Sequence, residues 1–330
     1  MTAVAPEVKV TTAPSGLSVT VVICTYSERR WDWLTAAVAA VGAQSRSCDE
    51  LLLVVDHNQA LLQRARSAFA GATVLANEER PGLAGARNTG VSRSSGDVIV
   101  FLDDDAVAEP DCLERLVEVY SDPRVLGAGG AAVAAWPDKQ PRWFPEEFNW
   151  VVGCAYVGLP ATTAQVRNPI GACMSFRRTA FDHAGAFTYG IGRTAADRMG
   201  CEETEFSIRV RRTVPGSVLL YVPAARVQHH LDHGQQRWSH FLQRCLAEGH
   251  SKALVAGEVG SRDALASEWP YAVRVLTAGA ARGVRDALRG HPSGLLRTAA
   301  IGAGLGTTTY GYLTSRVRLG RDRKRSLRRR

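Results

Sequence analysis

The sequence has no Cys-x-x-Cys pair and no regular cysteine framework, although it contains seven cysteines in 330 residues. Scattered cysteines are typical of a reducing compartment, so we expect a cytoplasmic protein in which they are small core residues. The sequence also lacks a Gly-x-Gly-x-x-Gly pattern after its first expected strand, where Cys24 is followed by Thr-Tyr-Ser-Glu. A Rossmann-type dehydrogenase is therefore disfavoured.

Neither end of the sequence carries a long uninterrupted apolar run. Residues 1–16 include Glu7 and Lys9, so we expect a loose leader over 1–17 rather than a signal peptide or an anchor. Residues 293–312 approach the length of a bilayer, but Arg297 and many Gly, Ala and Thr residues make them too weakly apolar for a span. We expect C-terminal helices over 256–315 that pack on the body or lie in the membrane interface.

Outside residues 316–330 the chain carries no net charge. The formal charge of the whole chain is +8, and this last segment alone holds eight Arg, one Lys and one Asp. A neutral body argues against a nucleic-acid-binding face. We expect the basic tail to meet an anionic surface, with the protein peripheral at the inner face of the cell membrane. The alternative is a disordered tail that contacts nothing.

Three consecutive carboxylates follow an apolar run near the middle of the first half of the chain. Residues 98–102 are apolar and start with three β-branched residues, which predicts a strand buried on both faces, and Asp103, Asp104 and Asp105 come directly after it. Adjacent carboxylates repel one another unless a cation or hydrogen-bond donors compensate. This strand end therefore predicts a divalent metal that carries a phosphorylated ligand; the alternative is a solvated acidic turn.

The first part of the chain alternates strands with helices. We predict strands near 18–26, 51–55 and 72–75 and helices near 31–41 and 59–69, joined by short connections. This alternation predicts an α/β fold with parallel strands, right-handed crossovers and a nucleotide site along the carboxyl edge of the sheet.

Two further stretches have both a functional and a structural interpretation. Small residues around Arg87 open a helix, which favours phosphate binding, although a glycine-rich turn with a surface Arg would look similar. The aromatic and proline-rich residues 136–150 predict either a wall of the acceptor site or a loop packed on the core.

Charged residues in the second half also suggest a site. Glu202 and Glu203 open a predicted helix, where they could be catalytic or could simply favour the helix dipole. His229 and His230 end a short strand predicted over 225–230, after another over 219–223. A histidine at a strand end in a fold that needs a metal could be a ligand, and the alternative is a structural role.

Taken in order, six motifs strongly resemble those of family 2 glycosyltransferases with the GT-A fold. The resemblance covers about residues 18–255. The motifs are residues 21–26 (VVICTY), 56–58 (DHN), 85–90 (GARNTG), 101–105 (FLDDD), 171–178 (GACMSFRR) and 200–203 (GCEE). Residues 143–154 further resemble the actinobacterial and archaeal group related to glucosyl-dolichyl-phosphate glucuronosyltransferases.

The resemblance implies a Rossmann-like, nucleotide-binding mixed sheet flanked by helices. It divides the GT-A domain into a nucleotide-sugar half over 18–135 and an acceptor half over 136–255. It also implies an inverting, metal-dependent transfer from a nucleotide diphosphate sugar, with a UDP-sugar favoured, to a hydroxyl of a lipid-linked or cell-surface glycan, such as a polyprenyl-linked acceptor.

The resemblance also implies a role for each matching residue. Nucleotide-sugar binding is assigned to Thr25, Tyr26, Asp56, Arg87, Asp103, Asp104, Gly171 and Ala172. Mg²⁺ or Mn²⁺ would be held by Asp105 with Asp103 and His229. Glu203 would be the general base that takes the proton of the acceptor hydroxyl, and Glu202 would bind acceptor or donor sugar or exchange roles with it.

Glu203 is also the main departure from the family pattern, because the family usually has Asp at that position. Two alternatives therefore stay open. A polyprenyl-phosphate sugar synthase would need no base, since its acceptor is already a phosphate. A catalytically silent nucleotide-sugar sensor or membrane scaffold would use the same fold without turnover.

Overall fold

The computed structural model describes residues 16–190, 200–260 and 268–327, and for residue 259 and residues 320–327 it describes the backbone alone. The expected leader, apart from its last two residues, lies outside the described residues, as do the last three residues of the basic tail.

The described residues form a strand-rich body followed by a helical extension. The strands are β1 (Val19–Thr25), β2 (Glu50–Val55), β3 (Thr73–Ala76), β4 (Val98–Asp103), β5 (Ala106–Ala108), β6 (Val125–Ala135), β7 (Ala164–Gln165), β8 (Cys173–Arg177) and β9 (Val218–His230). The helices are α1 (Trp31–Gly42), α2 (Gln59–Ala68), α3 (Leu83–Arg93), α4 (Cys112–Glu118), α5 (Arg178–Ala184), α6 (Glu202–Thr213), α7 (Trp238–Val259), α8 (Thr277–Leu288) and α9 (Ser293–Leu327). A helical turn (Glu268–Pro270) and a π-helical turn (Tyr271–Leu276) lead into α8.

One mixed sheet runs through the body in the order β3-β2-β1-β4-β8-β6-β9-β5, and β7 pairs with β9. The pairs β3–β2, β2–β1 and β1–β4 are parallel, which confirms the predicted βαβ alternation. β8 lies antiparallel to both β4 and β6. The carboxyl ends of β1, β2 and β4 therefore meet at one edge, which is where the predicted site residues fall.

The central strands are buried on both faces. Val21 and Ile23 of β1 pack into one hydrophobic cluster, whereas Val22 packs into the cluster on the opposite face. Every residue from Val98 to Leu102 is at most 2% exposed. The predicted double burial of β4 is confirmed, and all seven cysteines are free, six of them buried and Cys24 partly buried.

The segments predicted as strands over 219–223 and 225–230 are both strand, but they are not two separate strands, because β9 is continuous from Val218 to His230. Its pairing with β6 jumps from Gly130–Val222 to Ala131–Arg226, so Pro223 lies among residues that the ladder skips. A proline has no N–H to donate to a ladder and is tolerated at such an irregularity. The bulge thus lets one strand carry His229 to the sheet edge.

The aromatic stretch is mainly core. Phe144 and Phe148 are buried with Phe241 of α7 and Ile301 of α9, whereas Trp150 lines a cavity described below. The expected C-terminal helices are present, with a break between Leu288 and Ser293, and α9 then continues into the basic tail as far as Leu327. Among the described residues no helix has the length and apolar character needed to cross a bilayer.

Candidate active site

The three consecutive aspartates point to different partners. Asp104 turns inward and is 2% exposed. Its carboxylate accepts a hydrogen bond from the Thr25 hydroxyl at 2.7 Å and another from Arg30 Nη1 at 2.6 Å. Burial raises the pKa of Asp104 to about 6, against the opposing effect of Arg30. Asp104 therefore ties the end of β4 to β1 and to the turn before α1.

Asp103, Asp105 and His229 bring one ligand atom each within 4.8 Å of one another. His229 Nε2 lies 3.0 Å from Asp105 Oδ1, and its Nδ1 lies 3.4 Å from Cys154 Sγ. Although burial acts to lower it, contact with Asp105 holds the pKa of His229 well above its usual value. Two carboxylate oxygens and an imidazole nitrogen form a donor set suited to Mn²⁺ or Mg²⁺, so these residues fit the expected metal.

Cys154 gives His229 the orientation that metal binding needs. A histidine ligand offers one ring nitrogen to the metal while the other usually donates a hydrogen bond. If Nδ1–H donates to the Cys154 sulfur, Nε2 is the ring nitrogen that faces Asp105. The raised pKa of His229 keeps a proton on Nε2, and a bound cation would displace that proton.

Arg87 joins β4 to the start of α6. The guanidinium is 2% exposed, and it donates from Nη1 to Glu202 Oε1 at 2.6 Å and from Nη2 to the Gly171 carbonyl at 3.1 Å. Its Nη2 also lies 3.4 Å from Asp103 Oδ1. Although burial acts to lower the pKa of Arg87, Glu202 raises it, so the cation is retained.

Glu203 lies beside this ion pair and is half-buried. Burial, and then the neighbouring Glu202 carboxylate, raise its pKa to about 7. A Cβ added at Gly171 would lie 4.0 Å from Glu203 Oε2 and 3.4 Å from Arg87 Nη2. The side-chain-free position at 171 therefore leaves space directly in front of the carboxylate.

Two connected spaces lie against these residues. An inner cavity of about 150 Å³ is lined by Arg87, Gly171, Ala172, Glu202, Glu203, Trp150 and others. An outer groove of about 950 Å³ is lined by Thr25, Tyr26, Asp56, Asp104 and others. Asp103, Leu83 and Arg244 line both. Asp103 thus lies where the cavity and the groove meet, and Asp105 and His229 lie next to it.

Asp56 holds the wall of the outer groove in place. Its carboxylate accepts from Asn77 Nδ2 at 2.6 Å and from the Gly82 backbone N–H at 2.8 Å. Tyr26, in contrast, is half-exposed and available for stacking. The residues predicted for catalysis and for nucleotide-sugar binding therefore line two neighbouring spaces at one edge of the sheet, the inner cavity and the outer groove.

Four contributors were not predicted from the sequence. Arg30 contacts both Asp104 and Asp105, Cys154 contacts His229, and Trp150 and Arg244 line the cavity. The predicted wall over residues 136–150 gave some indication of Trp150. No local pattern distinguishes Arg30 or Cys154, because their partners lie more than 70 positions away.

Comparisons with known proteins identify the family. The family model described as glycosyl transferase family 2 matches residues 20–185. The glucosyl-dolichyl phosphate glucuronosyltransferase of Haloferax volcanii is 33% identical over 243 residues, which cover 72% of this chain and 77% of that protein.

A solved mannosyltransferase structure shares the fold. The mannosyltransferase PcManGT of Pyrobaculum calidifontis, in complex with GDP-Man and Mn²⁺, superposes with a TM-score of 0.58 at 18% identity, covering 94% of this chain and 90% of that one. GalNAc-T7 with UDP, GalNAc and Mn²⁺ gives a TM-score of 0.49 at 21% identity, covering 65% of this chain and 43% of that one. The architecture is the GT-A fold, and the chain belongs to glycosyl transferase family 2.

Proposed function

We propose that the protein is an inverting, metal-dependent glycosyltransferase that moves a sugar from a nucleotide diphosphate sugar, with a UDP-sugar favoured, to an acceptor hydroxyl. The observation that carries the proposal is the position of Glu203. Its carboxylate has a raised pKa and lines the same small cavity as Asp103, which also borders the large groove. A single displacement needs the base on one side of the anomeric carbon and the diphosphate on the other. The inner cavity and the outer groove, which meet at Asp103, offer those two positions.

In this proposal the outer groove binds the nucleotide. Tyr26 offers a ring for stacking on the base, and Thr25 and Asp56 border the same space. Asp103 accepts a hydrogen bond from the ribose or from a metal-bound water. A divalent cation held by Asp105, Asp103 and His229 would neutralise charge on the departing diphosphate.

The inner cavity receives the donor sugar and the acceptor hydroxyl. Glu203 removes the proton of that hydroxyl as its oxygen forms a bond to the anomeric carbon. The bond from the anomeric carbon to the diphosphate oxygen breaks, and the nucleoside diphosphate leaves with the electron pair. Glu202, held by Arg87, binds a sugar hydroxyl and keeps Glu203 facing the reaction. One displacement inverts the anomeric configuration.

We further propose a lipid-linked glycan as acceptor and a peripheral position at the inner face of the membrane. The name of the Haloferax volcanii relative describes a transfer to glucosyl-dolichyl phosphate, and the basic tail favours an anionic surface. In this scheme residues 18–135 supply the nucleotide-sugar half, residues 136–255 supply the acceptor half, and residues 256–315 and 316–330 are the helical extension and the basic tail.

The test is release of nucleoside diphosphate from a panel of donors with Mn²⁺, using lipid-linked and soluble glycans as acceptors. We expect turnover with one donor and its loss, by at least about a hundredfold, in both Asp105→Ala and Glu203→Gln. Asp111→Asn is the control, since Asp111 lies after β5, has a half-exposed side chain and, within the described residues, forms an ion pair only with Arg115 of α4. Wild-type turnover in both site variants would contradict the mechanism.

The same variants separate the proposal from a polyprenyl-phosphate sugar synthase. A phosphate acceptor is already ionised, so that enzyme would keep its activity in Glu203→Gln and lose it in Asp105→Ala.

A further inference from the structure

The long helix α9 packs with its small residues inward. Added Cβ atoms would lie 2.1 Å from the Gly283 carbonyl oxygen at Gly294, 2.4 Å from the Phe148 ring at Gly304 and 2.5 Å from the Leu246 carbonyl oxygen at Gly311. These glycines allow α9 to approach α8, the aromatic segment and α7 at backbone distance. Close helix–helix packing through small residues is common in proteins that reside in membranes.

Several large apolar side chains of α9 face outward, although Ile301 is buried in the core. Leu295, Leu296, Tyr310, Leu313 and Val317 are each more than half exposed. At 100° per residue they lie within about a third of the helix circumference, opposite the glycines. A helix on the surface of a protein in water normally shows the reverse arrangement, with large apolar residues inward and polar residues outward.

This outward surface also lacks charge. No acidic or basic residue occurs between Arg297 and Arg316 in the sequence, so the exposed face of α9 is uncharged along its middle, where its exposed residues include Ala299, Gly302 and Thr309. We call this face, defined by the five residues named in the preceding paragraph, the apolar face. Large apolar side chains exposed at both ends of an uncharged helix face favour a contact site over ordinary solvent-facing surface.

The helical hairpin of α8 and α9, which carries the apolar face, is rich in basic residues. Residues 268–327 hold ten Arg and one Lys against three acidic residues. Arg285 and Arg289 are exposed near the hairpin tip, beside Leu288, which is 85% exposed. An apolar face on a basic hairpin is complementary to an anionic lipid surface and not to a second copy of the same basic hairpin.

We propose that the apolar face docks in the interface of an anionic bilayer, with α9 lying in the membrane plane. The basic residues contact lipid headgroups, and the exposed leucines enter the upper part of the acyl region. The apolar face is thus a binding surface separate from the basic tail.

Glu268 and Tyr271, which precede α8, contact residues that line the inner cavity. Glu268 accepts from Arg167 Nη1 at 2.9 Å, and the Tyr271 ring lies 5.5 Å from the Tyr156 ring. Arg167 and Tyr156 both line the inner cavity, and Trp269 beside Glu268 is 76% exposed. Docking would therefore bring the cavity wall close to the bilayer, where a lipid-linked acceptor is held.

Vesicle flotation of the full chain tests the docking directly. We expect binding to mixed phosphatidylcholine–phosphatidylglycerol vesicles and much weaker binding to phosphatidylcholine alone. The double variant Leu296→Glu/Leu313→Glu should reduce partition by more than about tenfold, because both side chains leave the acyl region and two negative charges are added. The control Gln63→Glu/Ser67→Glu adds the same charge on α2, which packs against the edge strand β3, and should bind like the unaltered chain.

Each other outcome contradicts the proposal. If the face variant floats normally and only deletion of 316–330 abolishes binding, the tail is the membrane contact and the apolar face is not. Dimers in solution that the face variant converts to monomers, without lipid binding, would assign the apolar face to a second copy. Retention in vesicles after extraction at high pH would indicate a span.

Two features of the experiment separate these outcomes from misfolding of the variant and from failure of glycosyl transfer. An unchanged melting temperature shows that the face variant is folded, which is expected because both leucines are exposed. Flotation needs neither donor nor acceptor, so its failure leaves the proposed glycosyl transfer untouched, and failure of transfer leaves the docking untouched.

Discussion

Arg87 and Glu202 form a buried ion pair in which Nη1 lies 2.6 Å from Oε1 and the two side chains are 2% and 4% exposed. The pair joins α3 to the first turn of α6, which are 115 positions apart in sequence. Since Glu203 follows Glu202 directly, this contact determines where the proposed base points.

Replacing Arg87 tests that relationship. Arg87→Lys should lower kcat by about tenfold to a hundredfold, because one ammonium cannot keep the geometry of the contacts to Glu202, Asp103 and the Gly171 carbonyl. Arg87→Ala should also lower the free energy of unfolding by about 3–5 kcal/mol, since it leaves a buried carboxylate unpaired. Steady-state kinetics and urea unfolding measure the two effects. The double variant Arg87→Met/Glu202→Met should recover stability but not turnover; full turnover would place the pair outside the site.

The pH dependence of the reaction should follow Glu203. With its pKa at about 7, kcat/KM should fall about tenfold per pH unit below that value and level off above it, because only the ionised carboxylate accepts a proton. A pH profile with saturating Mn²⁺ measures this. A profile that stays flat between about pH 5 and pH 7 would assign the base to another group.

The stability of Glu203→Gln should depend on pH in a defined direction. The pKa of Glu203 in the folded state is raised from 4.5 to about 7, so the native chain binds an additional proton between these values and loses stability as pH rises through them. Above pH 7 the variant should therefore be more stable than the unaltered chain by about 2 kcal/mol, and below pH 4.5 the difference should vanish. Thermal unfolding at several pH values measures it. A variant less stable than the unaltered chain at high pH would contradict the buried, raised-pKa carboxylate.

Gly153 should affect metal binding through His229. It has a φ of +77°, and an added Cβ would lie 3.1 Å from His229 Cε1. Gly153→Ala should lose about 1–2 kcal/mol of stability from its backbone conformation, and it should also weaken Mn²⁺ binding by displacing the imidazole. The matched control is Gly216→Ala, which has a φ of +84° and no neighbour within 4 Å. Calorimetric Mn²⁺ titration of both separates the effects, and equal affinities would show that His229 is not a ligand.

Gly171 should control access to the base. An alanine there would place its Cβ 3.4 Å from Arg87 Nη2 and 4.0 Å from Glu203 Oε2. We expect kcat/KM for the acceptor to fall by about tenfold or more, with little change in melting temperature, because the added methyl group makes only ordinary contacts but occupies the space in front of the base where the acceptor hydroxyl must lie. Gly257→Ala, in α7 with open space around it, is the control and should gain up to about 1 kcal/mol of stability without loss of activity.

Local patterns predicted the strand-and-helix alternation of the first half and the site edge. The apolar run before Asp103, Asp104 and Asp105 has a strand signature that depends on a few neighbouring residues, so β4 and its position were predictable. The same reasoning failed at Pro223, because whether a proline ends a strand or sits in a bulge depends on the partner strand.

Local sequence patterns did not predict the partners of the individual carboxylates. The resemblance assigned Asp104 to nucleotide-sugar binding, and the structure shows it buried between Thr25 and Arg30 at the inner end of the groove. The partners of Asp104 and Asp105 depend on residues far away in sequence, since Arg30, which contacts both, lies 74 positions before Asp104. The Cys154–His229 contact is likewise set by a loop and a distant strand.

The sequence by itself determined the family, the order of the elements and the concentration of negative charge at one strand end, because hydrophobic periodicity and adjacent residue types are properties of neighbours along the chain. Only the tertiary structure decided that Arg87 pairs with Glu202, that His229 joins Asp103 and Asp105, and that α9 turns its leucines outward. The physical reason is that pairing of buried charges and close approach of helices depend on which distant residues remove water from each side chain.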